Sequence, residues 1–273
     1  MAVLTGLGNI VVLGCGKMGG AIVGGLVMLD GFDTSRLRVL ESTEDHCSQV
    51  TDRFGVLATT DASQVFPADT LIIAVKPQVA RGILEDLVVS QPLDGMLVIS
   101  IAAGITTSQL EEIFPDSCPV VRVMPNTPLL VSAGMSTVSG GSRSTDAQVA
   151  SVCDLFGSIG TAIPLDEAQQ DASCALNGSG PAYFARACTA LADAGVAEGL
   201  DPETAVQLAV STMYGTAKLL MEGGLSTEEL VAAVSSPGGT TVAALEAMEG
   251  AGFSAVLAKG VQAAVRRSQE LAR

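Results

Sequence analysis

The chain has 273 residues, a net charge of −15, and is 48% hydrophobic, 16% charged and 3% aromatic. That length suits one large or two medium domains with a real core built from Ala, Val, Leu, Ile and Gly, while acidity and scarce aromatic rings argue against a nucleic-acid surface. One histidine, His46, and six scattered cysteines with no C-x-x-C spacing argue against a metal site of His or Cys, a Ser-His-Asp hydrolase and a dehydrogenase with a histidine acid.

No Lys or Arg precedes the first apolar run, and its glycines fall where a turn belongs, so it reads as neither signal peptide nor membrane span. The cysteines are expected to be reduced and the protein cytoplasmic. Ile10–Leu13 (I-V-V-L) is a strand buried on both faces. Gly14, Gly16 and Gly19 follow in G-x-G-x-x-G spacing, and Ala21, Ile22, Gly25, Leu26 and Leu29 continue with helical period. Strand, glycine turn and helix are the context of a dinucleotide fingerprint. Gly14 permits the tight turn, Gly16 the approach of a pyrophosphate, and Gly19 the close packing of helix on strand. Amides at the helix start then face the phosphates.

Leu37–Leu40 is a second strand, ending in Glu41. An acid at this strand end hydrogen-bonds the adenosine ribose 2′-OH of NAD. Ser42, Thr43, Glu44 and Asp45 follow, without a Lys or Arg to hold a 2′-phosphate, so these residues lean to NADH. A helix then runs to about Arg53, with His46 in a solvated position near its start. Residues 55–58 form a short strand, and Asp61 opens a helical turn. Thr70–Val75 is a buried strand stopped by Lys76-Pro77, with Lys76 held extended by the proline. A helix spans Val79–Val89, a strand Met96–Ile101, then Ala102-Ala103-Gly104. Thr107 caps a helix carrying Leu110, Ile113 and Phe114. Pro119–Met124 is a strand, followed by Pro125-Asn126-Thr127-Pro128.

This alternation specifies a doubly wound parallel sheet whose ligands lie outside the strands' carboxyl ends. Loops 14–19, 76–78, 102–104 and 125–128 follow such ends and should ring one site, which makes Ala102 and Asn126 candidate cofactor neighbours. Strands at 134–139 and 160–165 flank a helix at 145–156. The charge-free stretch 123–142 is broken by Pro125 and Pro128 and does not span a membrane. After Asp166 the pattern is helical, over 168–176, 181–194, 202–221, 227–234, 241–251 and 254–272. Asp201-Pro202 and the Ser226/Glu229 capping box mark two starts. The expected fold is therefore an α/β Rossmann domain, residues 1–165, and an all-helical domain, residues 166–273. The second is so rich in Ala, Gly, Val and Leu that a dimer through it is expected. Two non-helical segments should interrupt it: Leu176–Tyr183 and Ser235–Thr241. Each sets glycines and hydroxyls before a helix, a donor array for an anion such as a carboxylate.

Here the motifs carry a resemblance that runs nearly end to end. The N-terminal glycine motif, A-V-K-P-Q at 74–78, S-I-A-A-G at 100–104, R-V-M-P-N-T-P at 122–128, G-S-G-P-A-Y at 178–183 and S-S-P-G-G-T-T at 235–241 stand in order. The chain thereby resembles pyrroline-5-carboxylate reductase, although Asn177 stands where that family usually has serine and Asp61 where it often has asparagine. The resemblance implies a Rossmann domain with a helical dimerisation domain, dimers often assembled into decamers, and an active site at the dimer interface. It implies reduction of (S)-1-pyrroline-5-carboxylate to L-proline by NADPH or NADH, the last step of proline biosynthesis. Leu13, Gly14, Cys15, Gly16, Lys17 and Met18, with Ala74, Val75, Lys76 and Pro77, would then contact the cofactor, and Asp61 would lie near the adenosine ribose. Ser236 and the backbone of Gly239, Thr240 and Thr241 would hold the substrate carboxylate, and Thr241 would hydrogen-bond the ring nitrogen. Activity with both cofactors and a lean to NADH is the joint expectation.

Two rivals stand beside it. A 3-hydroxyacid dehydrogenase or ketopantoate reductase needs a catalytic lysine, but Lys218 and Lys259, the helical half's lysines, lie in no glycine-rich loop. A non-catalytic nicotinamide sensor would keep Gly14–Gly19 but have no need of S-S-P-G-G-T-T.

Overall fold

A computed structural model describes residues 4–271. The described residues pack as two compact units, one of residues 4–179 with 264–271, the other Gly180–Ala263.

The first unit is built on an eight-stranded sheet in the order β3-β2-β1-β4-β5-β6-β7-β8. The strands are β1 (Ile10–Leu13), β2 (Leu37–Leu40), β3 (Leu57–Thr59), β4 (Thr70–Ile73), β5 (Leu97–Ser100), β6 (Val120–Met124), β7 (Gly134–Gly140) and β8 (Gly160–Pro164). β1 pairs in parallel with β2 and β4, with Ile10 opposite both Leu37 and Thr70. Residues of β1 alternate between two apolar layers. Ile10 and Val12 face Ile22, Leu26 and Phe156, and Val11 and Leu13 face Leu84, Leu87 and Leu110. A strand buried on both faces needs a continuous apolar run, which is why I-V-V-L and T-L-I-I read so clearly.

The helices on the sheet are α1 (Lys17–Val27), α2 (Glu44–Phe54), α3 (Pro77–Ser90), α4 (Thr107–Glu111), α5 (Asp146–Gly157) and α6 (Gln170–Ser173). Several local expectations shift. β3 starts two residues later than expected and ends one later, and β4 stops at Ile73. Thr106, not Thr107, caps α4, in a reciprocal box with Gln109. β7 runs antiparallel to β6, Val123 opposite Val138, so the sheet is not wholly parallel. Residues 125–133 are too few for a crossover, which takes a dozen or more. The region expected as one helix at 168–176 is a 3-10 turn (Glu167–Gln169), α6 and a π-helical turn (Cys174–Gly178).

The second unit holds α7 (Gly180–Ala197), α8 (Pro202–Glu222), α9 (Thr227–Val234), α10 (Thr240–Gly250) and the first part of α11 (Phe253–Leu271). Asp201 caps α8 with Pro202 in its first turn, and Ser226 and Glu229 form the expected box on α9. α7 and α8 pack through Cys188, Ala192 and Ala205. Much apolar surface stays uncovered in the single chain: Phe184 is 63%, Tyr214 67% and Met221 77% exposed. Among the described residues no single helix is long and apolar enough to cross a membrane. The expected end of α11 at Ala272 lies outside the described residues.

Candidate functional site

The glycine turn begins mid-sheet. Ala74 N donates to Leu13 O (2.9 Å) and Gly14 N to Leu40 O (2.9 Å), so the turn rises between β2 and β4. Gly14 has φ +86°, and a Cβ there would lie 2.7 Å from Val75 Cγ1. A Cβ on Gly19 would collide with the Gly14 carbonyl. Gly16, the N-cap of α1, differs: a Cβ on it would meet nothing within 4 Å. Two glycines serve the fold, and the third leaves open space before the helix start with Lys17 and Met18. That arrangement fits a pyrophosphate group, which needs backbone donors and room to approach them.

Glu41 is held against this turn. Its Oε1 accepts from Cys15 N at 2.5 Å and its Oε2 from Ser42 N at 3.1 Å. The side chain is 9% exposed, with His46 Nδ1 3.8 Å away. The carboxylate is thus oriented by one backbone bond to each oxygen and keeps further lone pairs for a diol. Burial pushes the Cys15 thiol up to about 11, helped by the Glu41 carboxylate and partly offset by the Arg53 guanidinium. Arg53, which lies over the Phe54 ring at 4.8 Å, is a nearby cation that reading residues 42–45 alone misses. At the end of β3, Asp61 caps the turn 62–64 and accepts from Ser63 Oγ (2.7 Å), Gln64 Nε2 (3.1 Å) and Ser63 N (2.9 Å). These bonds, the Ser63 hydroxyl first, hold its carboxyl below the usual range.

Lys76 is extended (φ −64°, ψ 141°) and places Pro77 at the first position of α3. Ala102 N donates to Ser100 Oγ (3.3 Å), and Gly104 takes φ +80°. Between these loops opens a cavity of about 490 Å³ lined by Pro77, Gln78, Arg81, Ala103, Gly104 and Ile105. β1, β4, β5 and β6 are neighbours in one parallel run, so loops 14–19, 76–78, 102–104 and 125–128 all leave the same sheet edge.

Two polar clamps, the first on a buried arginine and the second part-buried, support this edge. Arg122, almost fully buried on β6, pairs with Glu167 (Nη1–Oε1 3.0 Å), and the same oxygen accepts from Thr107 N (3.2 Å). The start of α4 is thereby drawn to β6. The second clamp joins Asn126 to Asn177: Asn126 Nδ2 donates to Asn177 Oδ1 at 2.8 Å, and Asn126 Oδ1 accepts from Met135 N at 2.9 Å. The Asn126 amide is therefore engaged within the protein. A lone arginine inside V-V-R-V-M signals the first clamp, because a buried charge requires a partner.

The segment Leu176–Tyr183 is not a loop. The π turn runs to Gly178, Ser179 N donates to Cys174 O (3.0 Å), and α7 begins at Gly180. The expected donor array there is withdrawn, since its amides continue a helix. The other segment keeps its form: Ser235–Gly239 is non-helical, Gly238 has φ +70°, and Gly239 caps α10 without a side-chain bond. Gly239 N donates to Ser236 O (2.9 Å), and Ser235 Oγ is buried without a partner. Thr240 and Thr241 thus open an eleven-residue helix whose first amides lack intrahelical partners. Lys218 is tied to Glu222 at 2.8 Å. Among the described residues no three His, Cys, Asp or Glu side chains are grouped to hold a metal.

Residues 167–271 match the family model described as pyrroline-5-carboxylate reductase dimerisation, and residues 9–104 match the one described as NADP oxidoreductase, coenzyme F420-dependent. A pyrroline-5-carboxylate reductase of Corynebacterium melassecola is 39% identical over 268 residues, covering 96% of this chain and 98% of the relative. The solved structure of such a reductase from Coxiella burnetii shares 33% identity at a TM-score of 0.92, covering 98% of this chain and 99% of that one. The structure of the Plasmodium falciparum pyrroline carboxylate reductase with NADP bound shares 26% identity at a TM-score of 0.82, covering 97% and 98%.

Proposed function

We infer, from the premise that the chain belongs to the pyrroline-5-carboxylate reductase family, how its own residues serve the reaction. It is an oxidoreductase that reduces pyrroline-5-carboxylate to proline with a nicotinamide cofactor and self-associates through its helical domain. The sensor and hydroxyacid dehydrogenase readings are not favoured.

The observation that carries the assignment of residues is the glycine turn with Glu41 bonded onto it. The amides of residues 16–19 hold the pyrophosphate over the turn made by Gly14 and Cys15, whose own amides are bonded to Leu40 O and to Glu41; Glu41 and Ser42 hold the adenosine ribose with Asp61 nearby, and Ala74–Pro77, Ala102 and the Asn126 backbone border the nicotinamide. The cofactor supplies a hydride. The substrate's ring imine, once protonated, accepts hydride at carbon, so the protein's task is chiefly to orient the partners. Ser236 and the free amides of Thr240 and Thr241, at the positive end of α10, hold the substrate carboxylate, with Gly239, whose own amide is bonded to Ser236 O, shaping the turn beside them. The Thr241 hydroxyl holds the proton at the ring nitrogen, so no histidine is required.

Glu41 favours NADH, and Arg53 provides the charge that lets NADPH bind as well. The functional division falls at residue 165, a reading supported by the dimerisation match beginning at 167. The uncovered apolar faces of α7 and α8 support a dimer, which assembles further into a decamer, and the enzyme works in the cytoplasm. The decisive test follows nicotinamide absorbance on addition of pyrroline-5-carboxylate, with NADH and NADPH in parallel. Rapid oxidation with a higher kcat/KM for NADH is the expected result. No oxidation by a protein that binds either nucleotide would overturn the assignment.

A further inference from the structure

The Asn177 side chain is committed to one place. Its Nδ2 donates to Met124 O at 2.9 Å and to Met135 O at 3.1 Å, and its Oδ1 accepts from Asn126 Nδ2 at 2.8 Å. Asn126 in turn accepts from Met135 N. The two amides close a ring around the end of β6 and the start of β7, the strands that bracket loop 125–133. Asn177 lies in the π turn Cys174–Gly178, a widened form that recurs at functional sites. Gly178 fits the same seat, since a Cβ there would stand 2.6 Å from Met124 Cε.

We propose that Asn177 is a positioning residue for hydride transfer: it clamps Met124, Asn126 and Met135 and so sets the placement of loop 125–126 at the carboxyl edge of the sheet. The proposal rests on the reading above that this loop borders the nicotinamide. Only a side-chain amide has the two N–H donors and one acceptor the ring uses. A serine hydroxyl has one proton and cannot bond both carbonyls. Releasing the clamp lets the loop shift without touching the glycine turn or Glu41. A shift of about 1 Å near reacting atoms costs up to about 100-fold in rate.

The test compares wild type with Asn177→Ser, the gentler variant, and Asn177→Ala. Three quantities are read: kcat well below the unfolding midpoint, NADH affinity by nicotinamide fluorescence, and hydrogen exchange of the Met135 amide in cofactor-free protein. The expected result is a kcat at least about tenfold lower, an NADH Kd within about twofold, and faster Met135 exchange, with Asn126→Ala/Asn177→Ala no slower than Asn177→Ala alone because the pair acts as a unit. An unchanged kcat in folded Asn177→Ser, an NADH Kd that weakens in step with kcat, or unchanged Met135 exchange overturns it. A wild type inactive on pyrroline-5-carboxylate defeats the assigned function as well, whereas an active wild type matched by Asn177→Ser defeats the clamp alone.

Discussion

Replacing Glu41 by glutamine should move the ratio of NADH to NADPH use toward NADPH, and the bonds Glu41 makes bound the size of the effect. Glutamine keeps one carbonyl oxygen, which can accept from Cys15 N and so support the glycine turn, while the bond from Ser42 N and the negative charge are lost. A charged acceptor on a ribose hydroxyl contributes about 1.5–3 kcal/mol and a neutral one about 1 kcal/mol, so NADH should lose roughly 1.5 kcal/mol. A 2′-phosphate placed at hydrogen-bond range of Glu41 brings like charges to about 4 Å, worth about 1 kcal/mol in water-like surroundings and up to about 4 nearer the protein. Arg53 offsets part of that repulsion, so the low end applies and NADPH should gain about 1 kcal/mol. Together these shift the ratio of kcat/KM values for NADH and NADPH by about 2.5 kcal/mol, roughly 60-fold. The assay is steady-state kinetics with both nucleotides at saturating imine, checked against equilibrium binding. A ratio that moves less than about threefold, or a wild type with the lower KM for NADPH, would refute the role drawn from these bonds.

The glycines should separate fold from binding: Gly16→Ala should keep its thermal midpoint and bind NADH about tenfold more weakly, whereas Gly19→Ala should lose stability because its Cβ meets the Gly14 carbonyl. Arg122→Met leaves Glu167 half-buried without its partner and should cost about 3 kcal/mol in urea unfolding, with the double variant Arg122→Met/Glu167→Gln recovering part of the loss. Cys15 should resist alkylation at neutral pH, its thiolate being about 100-fold scarcer than that of a thiol at the ordinary value. Because folding raises this thiol from 9.0 to about 11, its contribution to stability is intact below pH 9.0 and declines as pH rises through about 11. Thr241→Ala should lower turnover sharply while NADH affinity, measured by fluorescence, stays within about twofold, since its hydroxyl is assigned to the substrate nitrogen.

What could be read in advance follows the range of the interaction that decides it. The β1–glycine–α1 unit was legible because a buried run, a left-handed glycine and a helical period all lie within some twenty residues and are each dictated locally. The antiparallel β7 was legible in principle, since the length of 125–133 already rules out a crossover, but apolar pattern alone carries no strand direction. The π turn was not legible. N-G-S-G-P is local turn chemistry, and nothing within it favours a helix. Its helical form is held by Asn177 reaching Met124, 53 positions back, and Met135, 42 back, and by Gly178 seated on Met124. Arg122 shows the same division. Its presence in an apolar strand announces that a partner must exist, but that the partner is Glu167, 45 residues on, is settled only by packing.

These long-range clamps are also where function and fold meet. The residues that contact ligands in the proposed site are mostly backbone amides and small side chains, and such groups hold their place only as well as the loops that carry them. Loop 102–106 is held through Thr107 N and Glu167, and loop 125–133 through Asn126 and Asn177. An enzyme whose catalysis is chiefly orientation, with no metal or histidine required by its chemistry, must place its precision in such supports. The side chains whose loss should be felt most in turnover therefore include two asparagines that need never touch the imine.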